Sequence, residues 1–171
     1  FSGVHNFPTV GWFDGEFRQT LEGTGLGYQH EIDMLNLARG LDMLTIGYAF
    51  READTEWLMR SAAPDIFIFH AGITRGGTTG YRTGQSHELM AARSQVNFTI
   101  AKRLKSDVLL LAHGASLADP EDGQYVLDHT ECHGVQVGSS IERLAIEKPL
   151  EDRTASFKAP RFPEGAKRWV S

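Results

Sequence analysis

Two histidines stand where an apolar run gives way to glycine. Asp65 to Gly80 reads DIFIFHAGITRGGTTG, a strand-like stretch that ends in His70 and turns into a loop holding Gly76 and Gly77. Asp107 to Ala115 reads DVLLLAHGA and ends the same way, in His113 followed by Gly114. An imidazole titrates near neutrality, so it can move protons or bind a metal. Two at equivalent strand ends would share one rim, and His70 and His113 are the candidate acid–base pair. Either histidine could instead be a packing residue with a satisfied ring; the repetition of the design favours chemistry.

A third junction follows at 134–140, where GVQVG leads into Gly138, Ser139 and Ser140. Free backbone N–H groups at the start of a helix, together with its dipole, favour a phosphate or carboxylate. The same residues would serve as a plain N-cap. Gly114, Gly76 and Gly77 are candidate contributors to the same anion pocket. Asn6, at the end of the first apolar stretch, stands at a strand end where a substrate could be met, and Asp14 lies in the glycine-rich segment after it. No HExxH, DxD or other self-sufficient metal spacing occurs, so metal ligands are unassigned, and a divalent cation such as Mg²⁺ would need donors from outside the chain.

The elements that must hold these residues alternate. Strands are expected at 2–7, 43–50, 66–70, 107–113 and 134–138. Helices are expected at 28–38, 53–62, 86–105, 119–129 and from 139 on, the last interrupted at Pro149 and resumed to Lys158. The segment 9–27 reads as a long loop with five glycines. Strand–helix alternation calls for a parallel sheet with right-handed crossovers. There is no GxGxxG at a first strand–helix turn and no Walker sequence. A (βα)8 barrel takes about 250 residues and carries its chemistry at the carboxyl ends of its strands. Five units in 171 residues therefore read as an α/β chain of TIM-barrel type holding strands 4–8, in preference to a five-stranded doubly wound sheet. Residues 1–158 form that part and 159–171 an irregular tail. The start on Phe1, with no methionine, reads as a piece of something longer.

Bulk properties narrow the class. A net charge of -5 and a pI near 5.8 give no electrostatic case for nucleic acid or an anionic membrane. No apolar run approaches the ~20 residues of a spanning helix. Cys132 is alone, which excludes an intrachain disulfide and fits a reducing, cytoplasmic setting.

Four segments, GVHNFPTVGWFDGEFRQTLEGTGLGYQHEIDML, HAGITRGGTTG, LLLAHGASLADPEDGQYVLD and VQVGSSIERLAIE, together resemble the phosphoenolpyruvate hydrolase-like TIM-barrel family, in order from residue 2 to about residue 158. The departures are modest: Gly114–Ala115 where a glycine pair is usual, Ala112 for a cysteine, Ile141 for a methionine, and bulky Trp12 and Arg75 in their loops. The resemblance implies a chain beginning near the fourth barrel strand, often fused behind a Tm-1-like, ATP-binding domain. It implies a small anionic substrate, a phosphorylated or phosphonylated keto acid of the phosphoenolpyruvate or phosphonopyruvate type, hydrolysed at a P–O or C–P bond. Open sheet edges imply a partner: the missing N-terminal barrel segment or another copy in a homo-oligomer. The alternative is a non-catalytic binding or assembly module of a Tm-1-like protein.

Overall fold

The computed structural model describes residues 3–6, 8–78 and 85–159. Five strands, β1 (Gly3–His5), β2 (Leu44–Ala49), β3 (Ile66–His70), β4 (Leu109–His113) and β5 (Gly134–Gln136), form one sheet in the order β1-β2-β3-β4-β5, every pair parallel. This order decides the architecture. A doubly wound sheet reverses direction at a switch point, whereas strictly sequential parallel strands with right-handed crossovers place every helix on one face, as in a barrel wall. The fold is α/β, a partial TIM-type barrel.

The helices are α1 (Gly15–Gly23), α2 (Gln29–Gly40), α3 (Glu52–Ser61), α4 (His87–Leu104), α5 (Pro120–His129) and α6 (Ala145–Lys158). α4 starts where Ser86 accepts a hydrogen bond from the Leu89 N–H at 3.3 Å, and it buries Met90, Ala91, Ser94, Asn97, Phe98 and Ala101 at helical spacing. α5 begins with a reciprocal capping box between Asp119 and Asp122, with Pro120 at its first position.

Two expectations are revised. The segment 9–27 is not a simple loop: it holds a 3-10 turn at Thr9–Trp12 and the helix α1. Gly15 and Gly23 fall at the two ends of α1, where their freedom costs little, and an Arg18–Glu22 pair spans one turn between them. The final helix is not interrupted at Pro149. A π-helical turn at Ser140–Leu144 runs directly into α6, and Pro149 sits inside that helix, which continues past it without the Pro149 N–H bond. The expected glycine-loop residues 79–84 and most of the tail, 160–171, lie outside the described residues.

Strand alternation sorts the side chains into two packed clusters. Phe67, Phe69, Leu110 and Ala112 face the helices and join Ile32, Leu35, Leu58, Met90 and Phe98 in the main core. Tyr48, Phe50 and Ile68 face the opposite way, with Ile46, Ile66, Leu111 and Trp12 packed against them. This second face corresponds to the barrel interior, and the candidate histidines lie at its carboxyl-end rim.

Candidate functional site

Register builds the rim. His70 pairs with His113, and His113 with Gln136, while Tyr48 and Ile68 pair one layer below. His70, His113 and Gln136 thus form one row across three adjacent strands, with Phe50 one residue past the end of β2. The two imidazole rings meet edge to face with centroids 4.5 Å apart. Phe50 stacks on His70 at 5.1 Å, and Trp12 closes its edge at 4.6 Å. Tyr48 lies beneath both histidines and accepts a 2.7 Å hydrogen bond from the Gln136 amide.

Hydrogen bonds separate the roles of the two rings. His70 Nδ1 accepts from the Gly72 N–H at 3.3 Å, which assigns its proton to Nε2. His113 Nδ1 lies 2.8 Å from the Gln136 carbonyl, which can only accept, so Nδ1 carries the proton and Nε2 is the acceptor. Burial lowers the His70 pKa to about 3, with further lowering from neighbouring His113. The His113 pKa is also lowered by burial, against a partial upward pull from the Gln136 carbonyl and the nearby Glu142 carboxylate. Both rings are neutral at neutral pH: one offers a donor and the other an acceptor.

The loops around this row need their glycines. Gly114 has φ +82°, and a Cβ there would sit 2.1 Å from the Gly72 carbonyl oxygen and 3.0 Å from His70 Cε1. That close approach is locked by the Ala115 N–H donating to the Gly72 carbonyl at 2.7 Å. A Cβ on Gly138 would lie 3.8 Å from His113 Cε1, an ordinary contact, so Gly138 borders the pair without being crowded by it.

The remaining sequence candidates are placed differently. Ser139 makes no side-chain cap, and the Ser140 hydroxyl donates to the Leu117 carbonyl at 2.8 Å. Gly76 and Gly77 both adopt positive φ, but their turn already holds a carboxylate. Glu147 accepts from the Thr78 N–H at 3.0 Å, and Arg143 donates to the Gly76 carbonyl at 2.8 Å. Asp14 is largely exposed and ion-paired to Arg51. Asn6 lies just past β1 beside Glu31, in a cleft of about 430 Å³ that also reaches His30.

Glu31 was not among the sequence candidates. It sits in the first turn of α2, where an acidic residue suits the helix dipole and draws no attention. In the structure it is 2% exposed, and neither carboxylate oxygen has a hydrogen-bond partner of ordinary geometry. Burial raises its pKa to about 7, and the adjacent Asn6 amide offsets part of that rise. Its charge is felt by Tyr48 under the histidines. Sequence offered one cue, an acidic residue beside the buried Ile32. Arg51 and Arg93, beside His70, were missed as well; they lie on a helix boundary and a helix face, where arginine is unremarkable.

Among the described residues, no group of three or more His, Cys, Asp or Glu could hold a metal ion, and no helix is long and apolar enough to cross a membrane. At the level of sequence, residues 1–159 match the phosphoenolpyruvate hydrolase-like family. The chain belongs to that family. Two curated tomato (Solanum lycopersicum) relatives, the ToMV susceptible protein tm-1(GCR26) and the ToMV resistance protein Tm-1(GCR237), are each 39% identical to it over 160 residues. The match covers 93% of this chain but 21% of each tomato protein, so the chain spans about a fifth of their length. Within this phosphoenolpyruvate hydrolase-like chain, the carboxyl ends of β3 and β4 bring two imidazoles into contact.

Proposed function

We propose that the chain supplies the carboxyl-end rim of a hydrolase acting on a small phosphorylated or phosphonylated keto acid of the phosphoenolpyruvate or phosphonopyruvate type. The observation that carries this reading is the edge-to-face histidine pair, 4.5 Å between centroids, with opposite tautomers. Family membership supplies the substrate class.

In both substrates the phosphorus is attached to what becomes pyruvate enolate. Water attacks phosphorus as the P–O or P–C bond breaks, and the bonding pair leaves on the enolate. His113 Nε2 accepts the water proton, and the His70 Nε2–H donates toward the developing enolate oxygen. A neutral imidazole suits the second role, because a weak acid at a buried site can stabilise an oxyanion without having to be charged. Phosphate leaves, and the proton held on His113 Nε2 passes to the enolate carbon, giving pyruvate and returning the ring to its neutral form.

The remaining parts of the reading concern assembly. β1 and β5 each have a sheet neighbour on one side only among the described residues. Three further strand–helix units, from a preceding barrel segment or a second copy of the chain, would close the barrel over the inner face. A Tm-1-like ATP-binding domain fused ahead of them fits the larger size of the tomato relatives.

The test is release of phosphate and pyruvate from phosphoenolpyruvate and phosphonopyruvate by the intact natural protein. Turnover that His70→Ala or His113→Ala reduces at least a hundredfold supports the assignment. No turnover on a panel of phospho- and phosphono-acids would refute it.

A further inference from the structure

The histidine row explains proton transfer but leaves the substrate's negative charge unanswered, since both rings are neutral and Glu147 already fills the Gly76–Gly77 turn. Positive charge stands on the other side of His70. A cleft of about 180 Å³ is bounded by Trp12, Phe50, Arg51, His70 and Arg93, with the Asp14 carboxylate also on its wall, paired to Arg51. A second cleft, about 440 Å³, continues from it along the start of α3 and shares Phe50, Arg51 and Arg93 as a common wall.

Arg51 is fixed from two sides. Its Nη1 pairs with Asp14 and its Nε lies 3.3 Å from Asp54 Oδ2, while Asp54 is itself held at 2.7 Å by Arg18. These contacts account for two of the three guanidinium nitrogens. Nη2 is buried and has no hydrogen-bond partner. A purely structural bridge between Asp14 and Asp54 gives no reason to bury that nitrogen unsatisfied, a costly arrangement unless something else supplies an acceptor. Arg93 reaches the same cleft from α4. Its Nη1 donates to the Ala71 carbonyl at 3.1 Å, and its guanidinium lies 5.6 Å from the Phe69 ring centroid, which orients the fork. Arg51 is also the N-cap residue of α3, whose start has no side-chain cap. The first residues of α3, Glu52 and Ala53, line the second cleft, so the positive end of this ten-residue helix borders it.

We propose that this cleft is an oxyanion subsite, in which Arg51 and Arg93 take a carboxylate or phosphoryl group of the substrate and hold its reacting end against His70. The inference rests on the reading of the histidine pair as catalytic. Planar guanidinium forks recognise both groups by paired N–H···O contacts, and a fixed fork spends little freedom on binding. Asp14, which occupies one edge of the Arg51 fork from an exposed position, sets the outer limit of the subsite.

The experiment measures binding apart from turnover. Inorganic phosphate and pyruvate are titrated separately into the intact protein by calorimetry, which distinguishes a phosphoryl from a carboxylate subsite. The expected result is that Arg93→Gln and Arg51→Gln each weaken at least one of these anions tenfold or more, while Arg60→Gln, at an exposed pair with Glu56, leaves both unchanged. Arg51→Gln also loosens Asp14 and Asp54 and risks misfolding. Arg93→Gln gives up one carbonyl contact and the packing on Phe69 but no ion pair, so it decides the matter if the other variant is unstable. Failure of both anions to bind the natural protein, or binding that Arg93→Gln leaves intact, overturns the subsite. If His70→Ala abolishes turnover while Arg93→Gln changes neither anion binding nor KM, the subsite falls and the hydrolase reading stands. If the arginine variants lose anion binding in a protein that turns over no phospho- or phosphono-acid, the subsite stands and the hydrolase reading falls.

Discussion

Replacing Glu31 by glutamine tests whether a buried neutral acid sits at the rim. Its carboxyl has an ordinary pKa of 4.5 and titrates at about 7 in the folded chain, because burial disfavours the ion. The folded state therefore binds this proton more tightly than the unfolded state. The benefit is complete below pH 4.5 and is lost as pH rises through 7. The gap between the two values, at about 1.36 kcal/mol per pH unit, comes to about 3 kcal/mol. Glutamine is nearly isosteric and never ionises, so Glu31→Gln matches the natural protein near pH 4.5 and becomes more stable than it by about 3 kcal/mol at pH 8. With a urea dependence of roughly 1–3 kcal/mol per molar, the midpoint of the transition that unfolds this region moves up by about 1–3 M at pH 8. The natural protein alone is an unsuitable readout, because other groups titrate in the same range. The difference between the two proteins as a function of pH removes those groups, and amide exchange in α2 and β2 localises it. A difference that stays flat from pH 4.5 to 8 would refute the reasoning: it would mean that Glu31 is hydrated or paired and ionises as an exposed carboxylate does.

Three further outcomes are expected. His70→Phe keeps a ring between Phe50 and Trp12 but removes a base whose pKa falls from 6.5 to about 3 on burial. The cost of that base is absent above pH 6.5 and grows as pH falls toward 3, to on the order of 5 kcal/mol, so acid unfolding followed by circular dichroism shifts to lower pH while the proposed turnover is lost. Gly114→Ala places a methyl 2.1 Å from the Gly72 carbonyl oxygen at positive φ and costs at least about 2 kcal/mol in thermal or urea unfolding, whereas Gly138→Ala, meeting only ordinary contacts, stays within about 0.5 kcal/mol of the natural protein; equal effects would refute the asymmetry. Asp122 accepts the Ala118 and Asp119 N–H groups at 2.8 Å and pairs with Arg75 at 3.0 Å, so Asp122→Ala is expected to cost about 2–4 kcal/mol in the same unfolding assay, and no measurable loss would show that α5 is held without its cap.

Strand and helix order, the barrel class and the two strand-end histidines were all readable along the chain. Each rests on local signals: apolar runs that stop at a histidine, alternation of periods, and glycine at the turns. His70 and His113 are matched in kind by DIFIFH and DVLLLAH, and parallel pairing in register was enough to set them side by side. Local signals also misled. Five glycines concealed α1, because a segment rich in glycine reads as a long loop even when two of them, Gly15 and Gly23, fall at the helix ends.

What pairing in space decided was the state of each group. No local pattern could tell that His70 donates from Nε2 while His113 accepts there, since Gly72 and the Gln136 carbonyl set those tautomers. Gly76 and Gly77 looked open to a ligand until Glu147, 70 residues away in sequence, filled their turn. Glu31 and Arg51 looked like ordinary helix-start charges until packing buried the one with only the Asn6 amide to offset its burial and left one nitrogen of the other without an acceptor. Sequence fixes which groups a chain owns and the period at which they recur. Burial and partners, which set charge and protonation, come from residues that are distant along the chain and adjacent only once it has folded.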